Sequence, residues 1–192
     1  INNDAEIKSE CIDNLYMFFK EFAAQYQVAS INVNNTQIST GYEFIEPPTI
    51  QYNHSDAKLN EVKYIVIHST ADCGVSAKKY YDVLNTNPDM NMSAHFFIDA
   101  KDVVQMLSLD TVSWNVGSKT EPKIPCYNEN SVSVEICVVD NQQQAIQNAA
   151  DFVNNVLKPQ YPNAQIVAHR WVKPTLCPAI IPDDETFNTL FN

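Results

Sequence analysis

Glycine is scarce: Gly41, Gly74 and Gly117 are the only three in 192 residues. Neither G-x-G-x-x-G nor a P-loop can be written with them, which excludes a glycine-built phosphate cradle. Cations are few as well. Twelve Lys and Arg face 23 Asp and Glu, a formal net charge of −11. That balance argues against nucleic acid as the main partner, because phosphate contacts need clustered Lys and Arg. It argues equally against docking on an anionic membrane surface. No apolar run approaches the ~20 residues that a membrane-spanning helix needs. The five cysteines (Cys11, Cys73, Cys126, Cys137 and Cys177) contain no C-x-x-C. Zinc ribbons and thioredoxin-type redox centres are therefore out. The odd count leaves at least one thiol unpaired within the chain. The first residue is Ile1 rather than Met, so a processed or trimmed product is expected.

What is present is a globular composition, 45% hydrophobic and 18% charged. The length suits one domain with a full core, or one domain with a short appendage. Apolar spacings of three and four (Ile7, Cys11, Ile12, Leu15, Phe18, Phe19, Phe22) predict an amphipathic helix over 5–27. Residues 29–60 read as an irregular linker or wrapping arm, with Asn34-Asn35 and Pro47-Pro48, and His54 within it is expected to be exposed. The β-branched run Val62 to His68 reads as a buried strand. Ser76 is placed to cap a helix through Leu84. Two strands joined as a hairpin follow, Ser93 to Ile98 and Val103 to Leu107. Next come a strand from Val132 to Val139 and a helix from about Asn141 to Leu157, closed by Pro159. A short strand over 164–168 ends at His169, and Asp183 or Asp184 can cap a last helix. This order predicts an α/β fold, a central mixed β-sheet flanked by helices, with an extra N-terminal helix and arm. The expected division is 1–60 for the helix and arm and 61–192 for the chemistry-bearing domain.

Four histidines exist, and two of them, His68 and His169, end strongly apolar runs. Sites in open α/β sheets are built at strand ends. Eight residues after His169 comes Cys177, followed by Pro178. The two prolines of this segment suggest a rigid loop that folds back and brings the sulfur towards the His169 ring. Two imidazoles and a thiolate are three zinc ligands that leave a fourth position open, as in catalytic sites. A strand-end histidine can equally be a core or surface residue, and a lone cysteine a small buried hydrophobe. Glu135 lies inside the apolar strand, where a carboxylate is costly unless its environment uses it. Burial would raise its pKa and suit it to general acid/base work. Alternatively it faces solvent, since Ser131 and Ser133 share its side of the strand.

In this order, Tyr64-Ile65-Val66-Ile67-His68-Ser69-Thr70, Ser93-Ala94-His95-Phe96-Phe97-Ile98-Asp99, Trp114-Asn115-Val116-Gly117, Ser131-Val132-Ser133-Val134-Glu135-Ile136 and Ala168-His169-Arg170 through Cys177-Pro178 resemble one family. It is the zinc-dependent N-acetylmuramoyl-L-alanine amidases of the phage-lysozyme type, which share their fold with peptidoglycan recognition proteins. The resemblance covers about residues 60–182 and is nearest the bacterial and phage branch. It implies Zn2+ held by His68, His169 and Cys177, with Glu135 as acid/base. It implies hydrolysis of the amide joining N-acetylmuramic acid to L-alanine, with peptidoglycan or muropeptides as partner and a secreted, wall-associated or phage-released location. The oligomeric state is left open. Many relatives carry Lys two residues before the ligand Cys; here Thr175 stands there as the candidate for transition-state stabilisation, with Lys173 nearby but out of register. Ala94 stands where some relatives have Tyr, and Trp114-Asn115 where others have Trp-His. His95, Trp114, Asn115 and Trp171 are candidates for the substrate groove, His95 also for a structural or ligand-orienting role and the tryptophans also for the core. A Cys73–Cys126 bridge is open. An alternative reading is a muropeptide-binding module of the same fold that does not cut; intact Cys177 favours the enzyme.

Overall fold

The continuous apolar run Tyr64–Ser69 forms strand β3, and its neighbours on both sides run parallel to it. In the computed structural model, which describes residues 41–59, 61–117, 122–139 and 141–192, the strands are β1 (Glu43–Ile45), β2 (His54–Lys58), β3, β4 (Phe96–Ile98), β5 (Asp102–Gln105), β6 (Thr111–Ser113), β7 (Ser131–Ile136) and β8 (Gln165–Ala168). The helices are α1 (Ala77–Thr86), α2 (Gln142–Phe152), α3 (His169–Val172) and α4 (Asp184–Phe191). Six strands make one sheet in the order β1-β5-β4-β7-β3-β8, and β2 pairs with β6 separately. Only β4 with β5 is antiparallel within the large sheet. The expected mixed sheet of an α/β fold is therefore present. The predicted helix over 5–27 and Cys11 lie outside the described residues.

β3 is a central strand buried on both faces, which is why it reads as unbroken Val and Ile rather than as alternation. Its register is set against β7 and β8 together: Val66 lies beside Ser133 and Val167, and His68 beside Glu135. Side chains at every second position share a face. One face thus carries Tyr64, Val66 and His68, with Ser133, Glu135 and Cys137 on the β7 side. Two separate apolar clusters cover that face. Ala77, Tyr80 and Leu84 of α1 pack with Phe97, Val104 and Cys137. Tyr64, Val66 and Val167 pack with Val116, Cys126 and Val172. On the other face Phe96 meets the Phe152 ring of α2 at 4.7 Å between centroids. Fully burying each such large side chain contributes roughly 1.5–3 kcal/mol. His68 and Glu135 sit between the two clusters of the first face.

The helix starts follow local chemistry. The Ser76 oxygen accepts from Lys79 N, Asn141 from Gln144 N and Asp183 from Thr186 N. The expected stop at Pro159 is not where helix α2 ends. The chain continues through a wider π-helical stretch, Val153–Leu157, and a last turn Lys158–Gln160. Lys158 N donates to Val153 O, five residues back. A proline ring presses on the carbonyl four residues before it in a regular helix, and a widened turn relieves that contact.

The arm predicted as irregular over 29–60 holds two strands among its described residues. Three-residue β1 adds in parallel to β5, with Phe44 stacked on Phe152 at 6.0 Å. β2 is a polar, largely exposed sequence that pairs with β6 across a register shift. Neither has the length or alternation that marks a strand in sequence, and both are made by partners distant in the chain. His54, expected to be exposed, is half-buried on β2. The open Cys73–Cys126 pairing is not formed, since Cys126 is a free buried thiol.

Asp99 ties the β4–β5 turn to α1. Its carboxylate accepts from Lys101 N and Asp102 N at 2.8 Å and from Ala77 N at 2.9 Å. Asp99→Ala is expected to cost on the order of 3 kcal/mol, since two buried donors and one partly buried donor lose their acceptor. A urea unfolding midpoint equal to that of the parent would contradict this reading of the turn.

Candidate active site

Three elements that are far apart in sequence deliver the polar cluster. His68 stands near the end of β3 and is 2% exposed. His169 is the first residue of α3, directly after β8. Cys177 comes from the loop between α3 and α4. The two imidazole rings lie 4.4 Å apart between centroids. The Cys177 sulfur is 3.8 Å from His68 Nδ1. One ligand atom from each of the three residues falls within 4.8 Å of the others. The structure thus brings together all three residues expected to hold metal.

The loop is shorter on freedom than its prolines alone suggest. His169–Val172 is a single helical turn rather than part of the loop, and Arg170 N donates to Cys177 O at 2.7 Å. Ser69 holds the far side: its N–H points at the Cys177 sulfur at 3.4 Å, and its hydroxyl accepts from Ala179 N at 2.9 Å. In sequence Ser69 is part of the motif that contains His68 and shows no role of its own. Its adjacency to His68 was the one signal available for it.

The electrostatics fit a cation. Burial, then the charge of His169, holds His68 well below the ordinary histidine range. Burial also lowers His169, while a hydrogen bond to the Val116 carbonyl opposes the shift. Both rings are thus neutral and able to ligate. Burial, then the Glu135 carboxylate, pushes the Cys177 thiol up to about 12, so this sulfur stays protonated near neutral pH unless a strong local cation displaces its proton. His68 Nε2 and His169 Nε2 are buried without a hydrogen-bond partner among the described residues. Buried polar atoms normally find partners. Two neutral imidazoles with unused ring nitrogens and a thiol form a donor set suited to zinc, and the Val116 carbonyl orients the second ring as outer-shell groups do at metal sites.

Glu135 lies beside His68 in the β3–β7 register and is 6% exposed. Burial raises its pKa to about 8, and its Oε2 is unpartnered. The polar face of β7 is therefore turned inward, and the solvent-facing alternative for Glu135 falls. Asn115 Oδ1 accepts from Ser133 Oγ at 2.7 Å, two residues from Glu135 on the same face, while its Nδ2 is buried and unpartnered. Trp114 is half-buried beside it and is held through its backbone by Ser93. Lys173, out of register in sequence, lays its stem across Gly117 (φ +92°), where an added Cβ would come within 3.2 Å of Lys173 Cε.

Three of the expected groove or catalytic positions play other parts. His95 is wholly buried; Ser133 N donates to its Nδ1 at 3.1 Å and its Nε2 donates to Thr111 O at 2.9 Å. Both nitrogens are used by backbone, so this is a structural histidine. The Trp171 ring packs edge-on against Phe187 of α4 at 4.8 Å and belongs to the core margin. Thr175 is exposed, and its hydroxyl accepts from Cys177 N at 3.2 Å; it shapes the ligand loop and is absent from the buried cluster. In each case the residue type was compatible with a site; the neighbours that claim His95 and Trp171 come from distant segments, while Thr175 is held locally by Cys177 N.

The class that fold and cluster define is an α/β domain with a His/His/Cys cluster at the strand ends that could hold a metal ion. Residues 58–180 match the N-acetylmuramoyl-L-alanine amidase family, and the chain belongs to that family. It is 31% identical over 153 residues to N-acetylmuramoyl-L-alanine amidase CwlL of Bacillus licheniformis, covering 73% of this chain and 42% of that protein. The chain spans about two fifths of the length of the curated relatives it matches. Among solved structures, a mutant endolysin from Bacillus subtilis superposes with a TM-score of 0.66 at 25% identity, over 79% of this chain and 99% of that one. The catalytic domain of XlyA gives 0.64 at 24% identity, over 77% and 96%. The latter likeness shows the shared fold.

His95 generates a pH prediction. Burial pushes its folded pKa down to about 4 from an ordinary 6.5. As pH falls, the unfolded chain takes up this proton first, so stability is present above about 6.5 and drains away towards about 4. Replacing His95 by Gln is expected to shrink the loss of urea stability between about pH 7 and pH 5 by roughly 2 kcal/mol. An unchanged slope in the variant would refute the neutral, backbone-locked ring.

Proposed function

We propose that the chain is a zinc-dependent hydrolase of peptidoglycan that cuts the amide between N-acetylmuramic acid and L-alanine. The observation that carries this reading is the convergence of His68, His169 and Cys177 within 4.8 Å beside the buried carboxylate of Glu135. Family membership supports the substrate class, and the relatives bear amidase names. The catalytic unit in this reading is 61–192, with β1 adding an edge strand.

His68, His169 and Cys177 would hold the ion. The chemistry that zinc supplies when bound is Lewis-acid polarisation of a carbonyl and acidification of water. The remaining work falls to the protein. Glu135 Oε2 takes a proton from the attacking water and returns it to the nitrogen of the breaking C–N bond, so that carboxylate and amine products balance. Its burial keeps that proton from exchanging freely with solvent. Asn115 Nδ2 is the unpartnered donor left for the substrate, and half-buried Trp114 is the neighbouring ring for a sugar or peptide face. His95 and Ser133 hold the floor of the site in place beneath them. The site of action in this reading is the cell wall. Among the described residues no helix is long and apolar enough to cross a membrane.

Glu135→Gln is expected to retain zinc while turnover on purified peptidoglycan falls by about 10²–10⁴-fold, read as newly exposed L-alanine amines. Cys177→Ala is expected to lose stoichiometric zinc on dialysis. Full activity in the first variant, or full zinc in the second, would overturn the assignment. Binding of muropeptides without amine release by the zinc-loaded parent would favour the non-cutting module.

A further inference from the structure

We infer that Arg170 is a positioning residue for the metal site: through its side chain it fixes the loop that presents Cys177, and so sets how tightly the ion is held. This rests on the zinc reading above and goes beyond it to a residue that contributes no ligand atom. Arg170 follows His169 directly, and its backbone N–H already meets Cys177 O at 2.7 Å. The guanidinium then reaches past the cysteine. Nη1 donates to Pro178 O at 3.3 Å and to Ile181 O at 3.0 Å, and Nε donates to Asp184 Oδ1 at 2.8 Å. One planar group thus grips the chain at one, four and seven residues beyond the ligand sulfur.

The segment needs such a clamp. Between α3 and α4 it carries Pro174, Pro178 and Pro182, which lack N–H groups and cannot build a ladder of their own. Ser69 and Thr175 secure the backbone around Cys177, and buried Ile180 and Ile181 anchor the stretch that follows; Arg170 adds polar ties to that stretch at Pro178, Ile181 and Asp184. Its side chain is 14% exposed, against 59% for Asp184. A fork with several donors in fixed directions meets two carbonyls and a carboxylate at once; a lysine offers a single flexible ammonium and cannot.

Stability alone is a poor account of this arginine. Nη2 is buried with no hydrogen-bond partner among the described residues, and an unsatisfied buried nitrogen on a charged group costs free energy. Helix α4 has its own N-cap, Asp183, and its own buried anchor, Phe187, against Trp171. What the guanidinium adds is a ligand held in place before the ion arrives, so that binding does not also have to order the loop. Removing such outer groups commonly weakens metal binding 10–100-fold.

The test compares the full chain with Arg170→Lys and Asp184→Ala. Zinc affinity is read by competition with a chromophoric chelator. Cobalt-loaded samples are read for the thiolate-to-cobalt charge-transfer band, which reports sulfur in the coordination shell. Arg170→Lys is expected to bind zinc about 10–100-fold more weakly with a diminished sulfur band, while the bands from histidine-held cobalt persist. Asp184→Ala is expected to move both readouts the same way by less. A general loss of fold stability would lower the unfolding midpoint without selectively removing sulfur. Zinc affinity within about twofold of the parent and an intact sulfur band in Arg170→Lys would overturn the inference. If that variant does not fold, the same null result in Asp184→Ala overturns it. A parent that binds no zinc sinks the zinc reading itself, and is seen before any variant is made.

Discussion

Two imidazoles, a thiol and a carboxylate share one patch, His68 and Glu135 buried and His169 and Cys177 half-buried, with few hydrogen bonds among them. Desolvation opposes charge at every one of these groups, which is why both histidines are held neutral, the thiol protonated and Glu135 raised to about 8. A fold does not gather such groups for stability, because unsatisfied buried polar atoms cost free energy. The patch makes sense as a receptor for a positive ion. A divalent cation would take ligands from the two rings, displace the proton of the sulfur and reverse the local pKa logic. The rest of the molecule can be understood as the means of holding this unfavourable cluster in place.

That holding is done by strand register and by the division of the apolar face. β3 is locked between β7 and β8, so His68 cannot slip relative to Glu135 without moving the whole buried strand. Two apolar clusters, one under α1 and one around Val116 and Val172, cover the same sheet face and leave the polar groups between them. His95 belongs to this scaffolding. Its ring joins the backbone of β7 to that of β6 and keeps the site floor rigid from below.

Much of this was legible in the sequence, for identifiable reasons. β3 is a central strand whose burial on both faces writes itself into the run Ile65-Val66-Ile67, and buried β7 alternates Val and Ile with Ser131, Ser133 and Glu135, so the strand-end histidines and the glutamate stand out. The hidden parts are those where contacts distant in the chain decide. β1 and β2 carry no periodicity and exist through β5 and β6. The Pro159 stop was absorbed by a widened helical turn, because packing of Phe152, Val153 and Leu157 into the core outweighs one missing hydrogen bond. Trp171 and His95 had residue types fit for a site, yet Phe187 and two backbone groups claimed them, while Thr175 was taken by Cys177 N only two residues on. Spacing showed that Cys177 could approach His169; it carried no sign that Ser69 and Arg170 would fix where the sulfur stops.

The central claim is that one ion is shared by two ring nitrogens and one sulfur. X-ray absorption at the zinc edge of the purified protein addresses it directly, because sulfur and nitrogen shells separate at about 2.3 Å and 2.0–2.1 Å. The account predicts stoichiometric zinc with one sulfur in a shell otherwise of nitrogen and oxygen, including imidazole scattering. Zinc without a sulfur neighbour, or a protein that retains no zinc, would contradict it.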